Sequence, residues 1–212
     1  MAVTPHVYAK LNDSLWNAKI NAGSDTFKCL LLSAYTPGVH QYLSDVLGAG
    51  TEASGTGYTS GGLALTSPTL TTTAAASWST SRANSTAQVV GDIVRPATSN
   101  GYLYQCVVAG TTASSPPTYP TKVGGEVTDG GVTWLCIGTA ASVFTTGTAL
   151  SWNAAGGSLA AAFAVFADTT PSTNATRPVL GYWDLGGTQT ATGGTFVLTP
   201  NASAGLLAFP SS

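Results

Sequence analysis

The hydrophobic positions of this chain fall in short runs, and turn-forming residues separate the runs about every 8 to 15 residues. Gly, Pro, Asn and Asp supply most of the separations. The first clear run is FKCLLLS at residues 27–33, and similar runs follow at residues 63–73, 179–184, 195–200 and 206–209. Such spacing is typical of all-β sandwiches and barrels. We therefore expect an all-β protein with a β-sandwich or jelly-roll-like core.

Helical periodicity is scarce in the chain. Only HQYLSDVL, at residues 40–47, places apolar residues at helical spacing, so we expect one short helix at most. The alanines of LAAAFAVFA, at residues 159–167, would suit a helix. Glycines before this run, Asp-Thr-Thr-Pro after it and its Phe and Val residues favour a buried strand. Polar stretches at residues 170–181 and 186–195 are expected to form surface loops.

The middle of the chain reads as a small complete module. Residues 88–141 have short strand patterns of their own, and the two flanks, residues 1–87 and 142–212, continue the pattern of one core domain. Asp129, Gly130 and Gly131 predict a hairpin turn that requires positive φ. We therefore expect a discontinuous β-sandwich core that carries an inserted β module.

Aromatic residues give the module its candidate site. They are Tyr102, Tyr104, Tyr119 and Trp134. Alternation places Tyr102, Tyr104, Cys106 and Val108 on one face of a strand and Val132, Trp134 and Cys136 on one face of another. Flat rings suit stacking against sugars or burial against a partner protein. The same rings could instead form the core of the module, and the sequence leaves both interpretations open.

Low charge changes the picture of the surface. Charged residues make up 8% of the 212-residue chain, and the net charge is −2, whereas ordinary domains are about 25% charged. Little repulsion therefore opposes self-association or docking onto a larger assembly. Seven Lys and Arg residues form no basic stripe, so we expect no binding to nucleic acid.

Three cysteines, Cys29, Cys106 and Cys136, have neither the spacing nor the histidine partners of a zinc site. We expect them to be small buried residues, with a disulfide between Cys106 and Cys136 as the open alternative. The first residues lack the pattern of a secretory leader, and the longest apolar run is too short for a membrane span. Synthesis in a cytoplasm and no membrane association are therefore expected.

Catalytic chemistry has little support in the sequence. The carboxylates lie almost entirely in turns or at strand ends, where they cap backbone donors: Asp45, Glu52, Asp92, Glu126, Asp129, Asp168 and Asp184. His6 and His40 lack a second histidine at ligand spacing, and the chain has no GxSxG elbow. The glycines of ASGTGYTSGG, at residues 53–62, indicate tight turns because the phosphate-loop spacing and lysine are missing. We expect no enzyme, cofactor or metal.

Three segments resemble a family of small virion proteins of tailed phages. They are GTGYTSGGLALT at residues 55–66, FAVFADTTPSTNATRPVLGYWDLGG at residues 163–187 and GGTFVLTP at residues 193–200. Residues 7–32 are similar to the opening stretch of the same family. Members resemble capsid decoration or minor head proteins, which are β-rich and oligomeric.

The resemblance covers residues 1 to about 87 and residues 142–212. The inserted module is instead similar to a carbohydrate-binding-module-like repeat, through the G-D-x-V-x-P pattern at residues 91–96 and the later Tyr, Cys, Pro, Asp-Gly and Trp positions. The expected function is a capsid decoration or cement protein on the outside of the shell. Its expected partners are the major capsid protein and further copies of itself, as a dimer or trimer. The alternative is a head or tail fibre, or adhesin, whose module binds host-surface glycans.

Overall fold

A computed structural model describes residues 3–202 and 204–210 of the chain. In chain order, the elements of its first part are β1 (Thr4–Val7), α1 (Leu11–Trp16), β2 (Phe27–Tyr35), α2 (Leu43–Gly48), β3 (Gly50–Glu52), β4 (Leu63–Ala64) and β5 (Thr69–Ala74). A 3₁₀ turn (Ala75–Ser77) precedes β6 (Ala87–Gln88), β7 (Ile93–Val94), β8 (Leu103–Val108), β9 (Gly110–Thr111), β10 (Glu126–Asp129), β11 (Val132–Gly138) and β12 (Ala140–Thr145). The last five strands are β13 (Leu150–Asn153), β14 (Ser158–Asp168), β15 (Val179–Thr192), β16 (Thr195–Leu198) and β17 (Leu207–Pro210).

The all-β prediction is confirmed. The described residues form several antiparallel sheets, and none of those sheets closes into a barrel. Neither helix of this part of the chain is long and apolar enough to cross a membrane.

The chain forms two compact units. Unit 1 contains the described residues up to Thr69 together with Thr146–Thr199, and unit 2 contains Leu70–Thr145 together with the described residues from Pro200 onward. The two units alternate along the chain, because the residues from Pro200 onward return to unit 2, and their bounds differ from the expected 1–87 plus 142–212 and 88–141. The bounds differ because β12 pairs with β5 on one side and with β17 on the other, in a separate three-stranded sheet.

A six-stranded sheet dominates unit 1. Its strands run in the order β1-β15-β14-β2-β3, and β4 also pairs with β2. The run at residues 159–167 is indeed a strand, and its central position explains the near-continuous burial of β14. One predicted loop was wrong in extent: β15 continues to Thr192, because its threonine-rich end pairs with the first residues of β14.

Two short helices accompany this sheet, whereas the sequence predicted one. The predicted segment at residues 40–47 corresponds to α2, whose Leu43 and Val46 are buried against the sheet. Helix α1 was not predicted, because six residues give too few turns for a periodic pattern. Its Leu11 is buried.

Unit 2 is built around a four-stranded sheet in the order β10-β11-β8-β7. One face carries Tyr104, Cys106, Trp134 and their neighbours. The other face carries Ile93, Leu103 and Ile137, and these residues share a core with alanines from β12 and β17. Both faces of the four-stranded sheet are therefore covered within unit 2.

Candidate binding surfaces

The four predicted aromatic residues lie together in unit 2. Strands β8 and β11 are antiparallel neighbours, and their register places Trp134 opposite Cys106 and Tyr104 opposite Cys136. Trp134 and Tyr104 are both 0% exposed. Neither ring offers a face to a ligand, so the core interpretation applies to these two residues.

Hydrogen bonds fix the buried tyrosine. The Asn100 side-chain amide donates to the Tyr104 hydroxyl at 2.8 Å, and that hydroxyl donates to the Pro120 carbonyl at 2.7 Å. The ring of Tyr119 lies 4.5 Å from that of Tyr104, between centroids. Tyr104 therefore holds the loop that carries Tyr119 against the sheet.

Tyr102 and Tyr119 are the half-buried members of the group. The Tyr119 hydroxyl oxygen is buried and has no hydrogen-bond partner among the described residues. Burial and the nearby Asp129 carboxylate raise the pKa of Tyr119 to about 12, so this phenol stays neutral. Of the four aromatic rings that the sequence suggested as a ligand surface, only those of Tyr102 and Tyr119 are partly exposed.

Unit 2 also contains a buried ion pair between Arg82 and Asp129, which was not predicted from the sequence. The Arg82 guanidinium donates to both carboxylate oxygens of Asp129, at 3.0 and 2.8 Å, and the two side chains are 2% and 0% exposed. Arg82 also donates to the carbonyls of Ala113 and Ser115 and to the Asn84 side chain. This arginine therefore joins three segments of unit 2.

The carboxylate of Asp129 is also well supplied with donors. It accepts from the Trp134 indole at 2.9 Å and from the Ala113 backbone at 3.0 Å. Burial raises the pKa of Asp129, but the hydrogen bonds from Arg82 and Trp134 outweigh burial and hold the pKa below its ordinary value. The turn predicted at this position is confirmed, with Gly130 at φ 66°.

Unit 1 has an aromatic cluster that was not predicted as a site. His6 on β1 pairs with Tyr182 on β15, and their rings stack with centroids 4.7 Å apart. The Tyr182 ring also contacts those of Tyr8, Tyr35 and Phe163. His6 is exposed, Tyr182 and Phe163 are half-buried, and the two other tyrosines are buried below them. We call His6, Phe163 and Tyr182 the aromatic shelf.

The residues below the aromatic shelf hold it in place. The hydroxyls of Tyr8 and Tyr35 are hydrogen-bonded at 2.6 Å, and burial raises the pKa of both phenols. Partial burial of the His6 ring lowers its pKa, although Asp184 partly opposes that effect, so the neutral imidazole predominates at pH 7. The shelf therefore presents neutral rings.

The glycine-punctuated loop at residues 53–62 makes tight turns, as expected. Glu52 organises this loop by accepting hydrogen bonds from the Tyr58 hydroxyl at 2.7 Å, the Ser60 hydroxyl at 2.8 Å and the Gly61 backbone at 2.6 Å. Gly57 has φ +82°, and a β-carbon there would lie 1.9 Å from the Asn153 carbonyl oxygen. These contacts hold the loop in one conformation, so its glycines are explained by backbone geometry and close packing.

A shallow cavity of about 320 Å³ lies in unit 2. Its lining is mostly hydroxyl-bearing, from Thr73, Ser77, Trp78, Ser79, Thr80 and Ala202. The Trp78 indole donates to the Ile93 carbonyl at 3.0 Å and is only 8% exposed. The cavity is therefore polar and uncharged, and the tryptophan belongs mainly to its wall.

No protein-family model, curated protein or solved structure matches the chain.

Metal-binding and thiol chemistry also have little basis in this structure. Among the described residues, no three His, Cys, Asp or Glu side chains are close enough to hold a metal ion together. All three cysteines of this part of the chain are buried and have free thiols. Cys106 and Cys136 lie on adjacent strands but face Trp134 and Tyr104, respectively, rather than each other.

Proposed function

We propose that this protein is a structural component of a tailed-phage virion that decorates the capsid and cements it. The aromatic shelf is the observation that carries the proposal, because its neutral rings are at least partly exposed on the sheet of unit 1, although the Asp184 carboxylate lies nearby. Aromatic side chains dominate protein interfaces, and neutral rings avoid the cost of desolvating charges. The sequence resemblance and the low overall charge point in the same direction.

Cementing needs no chemistry beyond burial of surface. A protein that contacts neighbouring capsomers stabilises the shell by the surplus of buried contact over the cost of association. Apolar contact contributes about 25 cal/mol per Å² before that cost. The partner that we propose is the major capsid protein, with self-association as a dimer or trimer on the shell.

Shells assembled from the cognate major capsid protein test this function. The purified protein should co-sediment with the shells and raise their melting temperature. His6→Ala and Tyr182→Ser should lower the affinity for the shells at least tenfold, and should reduce the rise in their melting temperature, while the variants remain folded. Val197→Ala, which changes an exposed apolar residue on β16, is the matched control and should bind normally. Unchanged binding by both shelf variants would refute the role of the shelf.

Glycan binding by unit 2 is the second candidate. The half-buried Tyr102 and Tyr119 and the hydroxyl-lined cavity beside Trp78 favour it, since sugars stack on rings and exchange hydrogen bonds with hydroxyls. A glycan array that detects binding by the wild type, with loss in Tyr102→Ala or Thr80→Val, would support an adhesin. Shell binding without glycan binding would support the cement protein.

A further inference from the structure

Two carboxyl groups of unit 1 come together where β14 ends and β2 begins. The antiparallel register pairs Asp168 with Phe27. The Thr169 backbone then donates to the Thr26 carbonyl at 2.8 Å, and the Thr26 backbone donates to the Thr170 hydroxyl at 2.8 Å. These bonds continue the pairing by two residues, so strand alternation places Asp25 on the same face as Asp168, at the neighbouring diagonal position.

The donors around this pair leave one oxygen unsatisfied. Asp25 accepts from the Asn21 backbone at 2.5 Å through Oδ2 and from the Ser24 hydroxyl at 3.2 Å through Oδ1. Asp168 accepts from the Thr170 backbone at 2.8 Å through Oδ1. Its Oδ2 is buried and has no partner among the described residues, and the whole residue is 0% exposed.

A buried carboxylate oxygen without a donor is costly, and a second carboxylate beside it increases the cost. One proton removes both problems, because a protonated Asp168 Oδ2 can donate to the Asp25 carboxylate. We propose that Asp25 and Asp168 share one proton, held between Asp168 Oδ2 and the Asp25 carboxylate, and that this proton locks the end of β14 to the segment before β2.

Other charged groups do not supply the missing donor. Lys28 pairs with Ala167, so strand alternation places it on the face opposite to that of Phe27 and Asp168. Arg177, in the loop after β14, donates to the Pro171 carbonyl and to the Asn174 side chain. Burial is the largest influence on the pKa of Asp168 and raises it; hydrogen bonds from the Thr170 backbone and hydroxyl oppose this rise, and the nearby Asp25 carboxylate adds to it. The pKa of Asp168 is raised overall, in agreement with the shared proton.

The lock makes unit 1 respond to pH in a defined direction. A carboxyl group whose pKa is raised by folding binds more protons in the folded state, so stability falls as pH rises through the raised pKa. Unit 2 should respond in the opposite direction, because the pKa of Asp129 is lowered. Acidification should therefore increase the contribution of Asp168 to the stability of unit 1 and decrease the contribution of Asp129 to the stability of unit 2.

Thermal unfolding of the full-length protein between about pH 4 and pH 8 tests the lock. Asp168→Asn keeps the shape of the side chain and supplies a permanent donor to Asp25. The melting temperature of unit 1 in Asp168→Asn, minus that in the wild type, should increase by about 2–4 °C as the pH rises across this range. Asp13→Asn, at an exposed carboxylate of the same unit, should show no such gain. A gain that does not change with pH, or no gain, would overturn the proposal.

Two further measurements keep the test decisive. In the ¹³C spectrum of the wild type, the Asp168 carboxyl carbon should titrate at higher pH than an ordinary aspartate, whether or not the variant folds well. Titration at the ordinary pH would overturn the shared proton. Millimolar Ca²⁺ should leave the wild-type midpoint unchanged. A rise that is absent in Asp168→Asn would show that a cation occupies the pair, and would also overturn the proposal.

Discussion

Removal of the negative charge from Asp129 should destabilise unit 2 severely. The substitution Asp129→Asn keeps the size of the side chain but replaces one acceptor oxygen with a donor that faces the Arg82 guanidinium. Arg82 would stay in place, because it also donates to the carbonyls of Ala113 and Ser115. The result is a buried cation without its counter-ion, since Arg82 is only 4% exposed.

The expected cost is about 3–5 kcal/mol, the range measured when one member of a buried ion pair is removed. That is a large part of the 5–15 kcal/mol that stabilises an ordinary domain. With a urea dependence of about 2 kcal/mol per molar for a small unit, the unfolding midpoint should fall by about 2 M. The surface pair of Lys10 and Asp13 is half exposed, so Asp13→Asn should cost far less than Asp129→Asn.

Urea denaturation followed by hydrogen exchange and mass spectrometry separates the two units by peptide. In Asp129→Asn, peptides from unit 2 should lose protection at lower urea, whereas peptides from unit 1 should change less. The double variant Arg82→Met/Asp129→Asn should cost less than the sum of the two single variants, because neither charge is then left alone.

If Asp129→Asn costs no more than Asp13→Asn, or if the double variant is simply additive, Arg82 is not left as a buried cation without a counter-ion. The pH dependence offers a second check. Because folding lowers the pKa of Asp129, its stabilising contribution is present above about pH 4 and is lost as pH falls through the folded pKa. In Asp129→Asn, the acid-induced loss of stability in unit 2 should be smaller.

Three other outcomes follow from the same structure. Gly57→Ala should destabilise unit 1 by about 2–4 kcal/mol in thermal melts, because both its φ and a backbone carbonyl exclude a β-carbon; Gly61→Ala, at φ +89° with open space, should cost only about 1 kcal/mol. Burial raises the pKa of Cys106 to about 12, so it should resist thiol reagents at pH 8 until urea unfolds unit 2; rapid labelling of the native protein would contradict its burial. A chain that lacks residues 70–145 and 200–212, with a short Gly-Ser linker across the gap, should keep the native β-sheet signal of unit 1, whereas loss of cooperative melting would show that the two units depend on each other.

Local patterns were sufficient for the strands but not for the contacts between distant segments. Alternation and turn residues predicted the strand at residues 159–167 and the turn at Gly130, because both depend on neighbours in the chain. Arg82 and Asp129 are 47 positions apart, and nothing local indicates that they meet. The shelf formed by His6 and Tyr182 depends likewise on the pairing of β1 with β15.

The predicted aromatic site of the module differs from the surface in the structure because two of its four rings are buried. The sequence singled out four aromatic residues in the module, but it could not tell which of them the sheet would cover. Tyr104 and Trp134 lie under other segments of unit 2, whereas Tyr102 and Tyr119 stay at its surface in part. That distinction depends on the loop around Pro120 and on the hydrogen bond that Tyr104 donates to it.

The return of β17 to unit 2 constrains the order in which the protein can fold during synthesis. The three-stranded sheet needs β5 and β12, which are made early, and β17, which follows the last strand of unit 1. A ribosome that adds about 5–20 residues per second exposes the incomplete sheet for several seconds before residues 207–210 emerge. The edge of β12 that later pairs with β17 is then unpaired, and an unpaired edge is a site where aggregation can begin. Slow translation after residue 145 should therefore lower the yield of native protein.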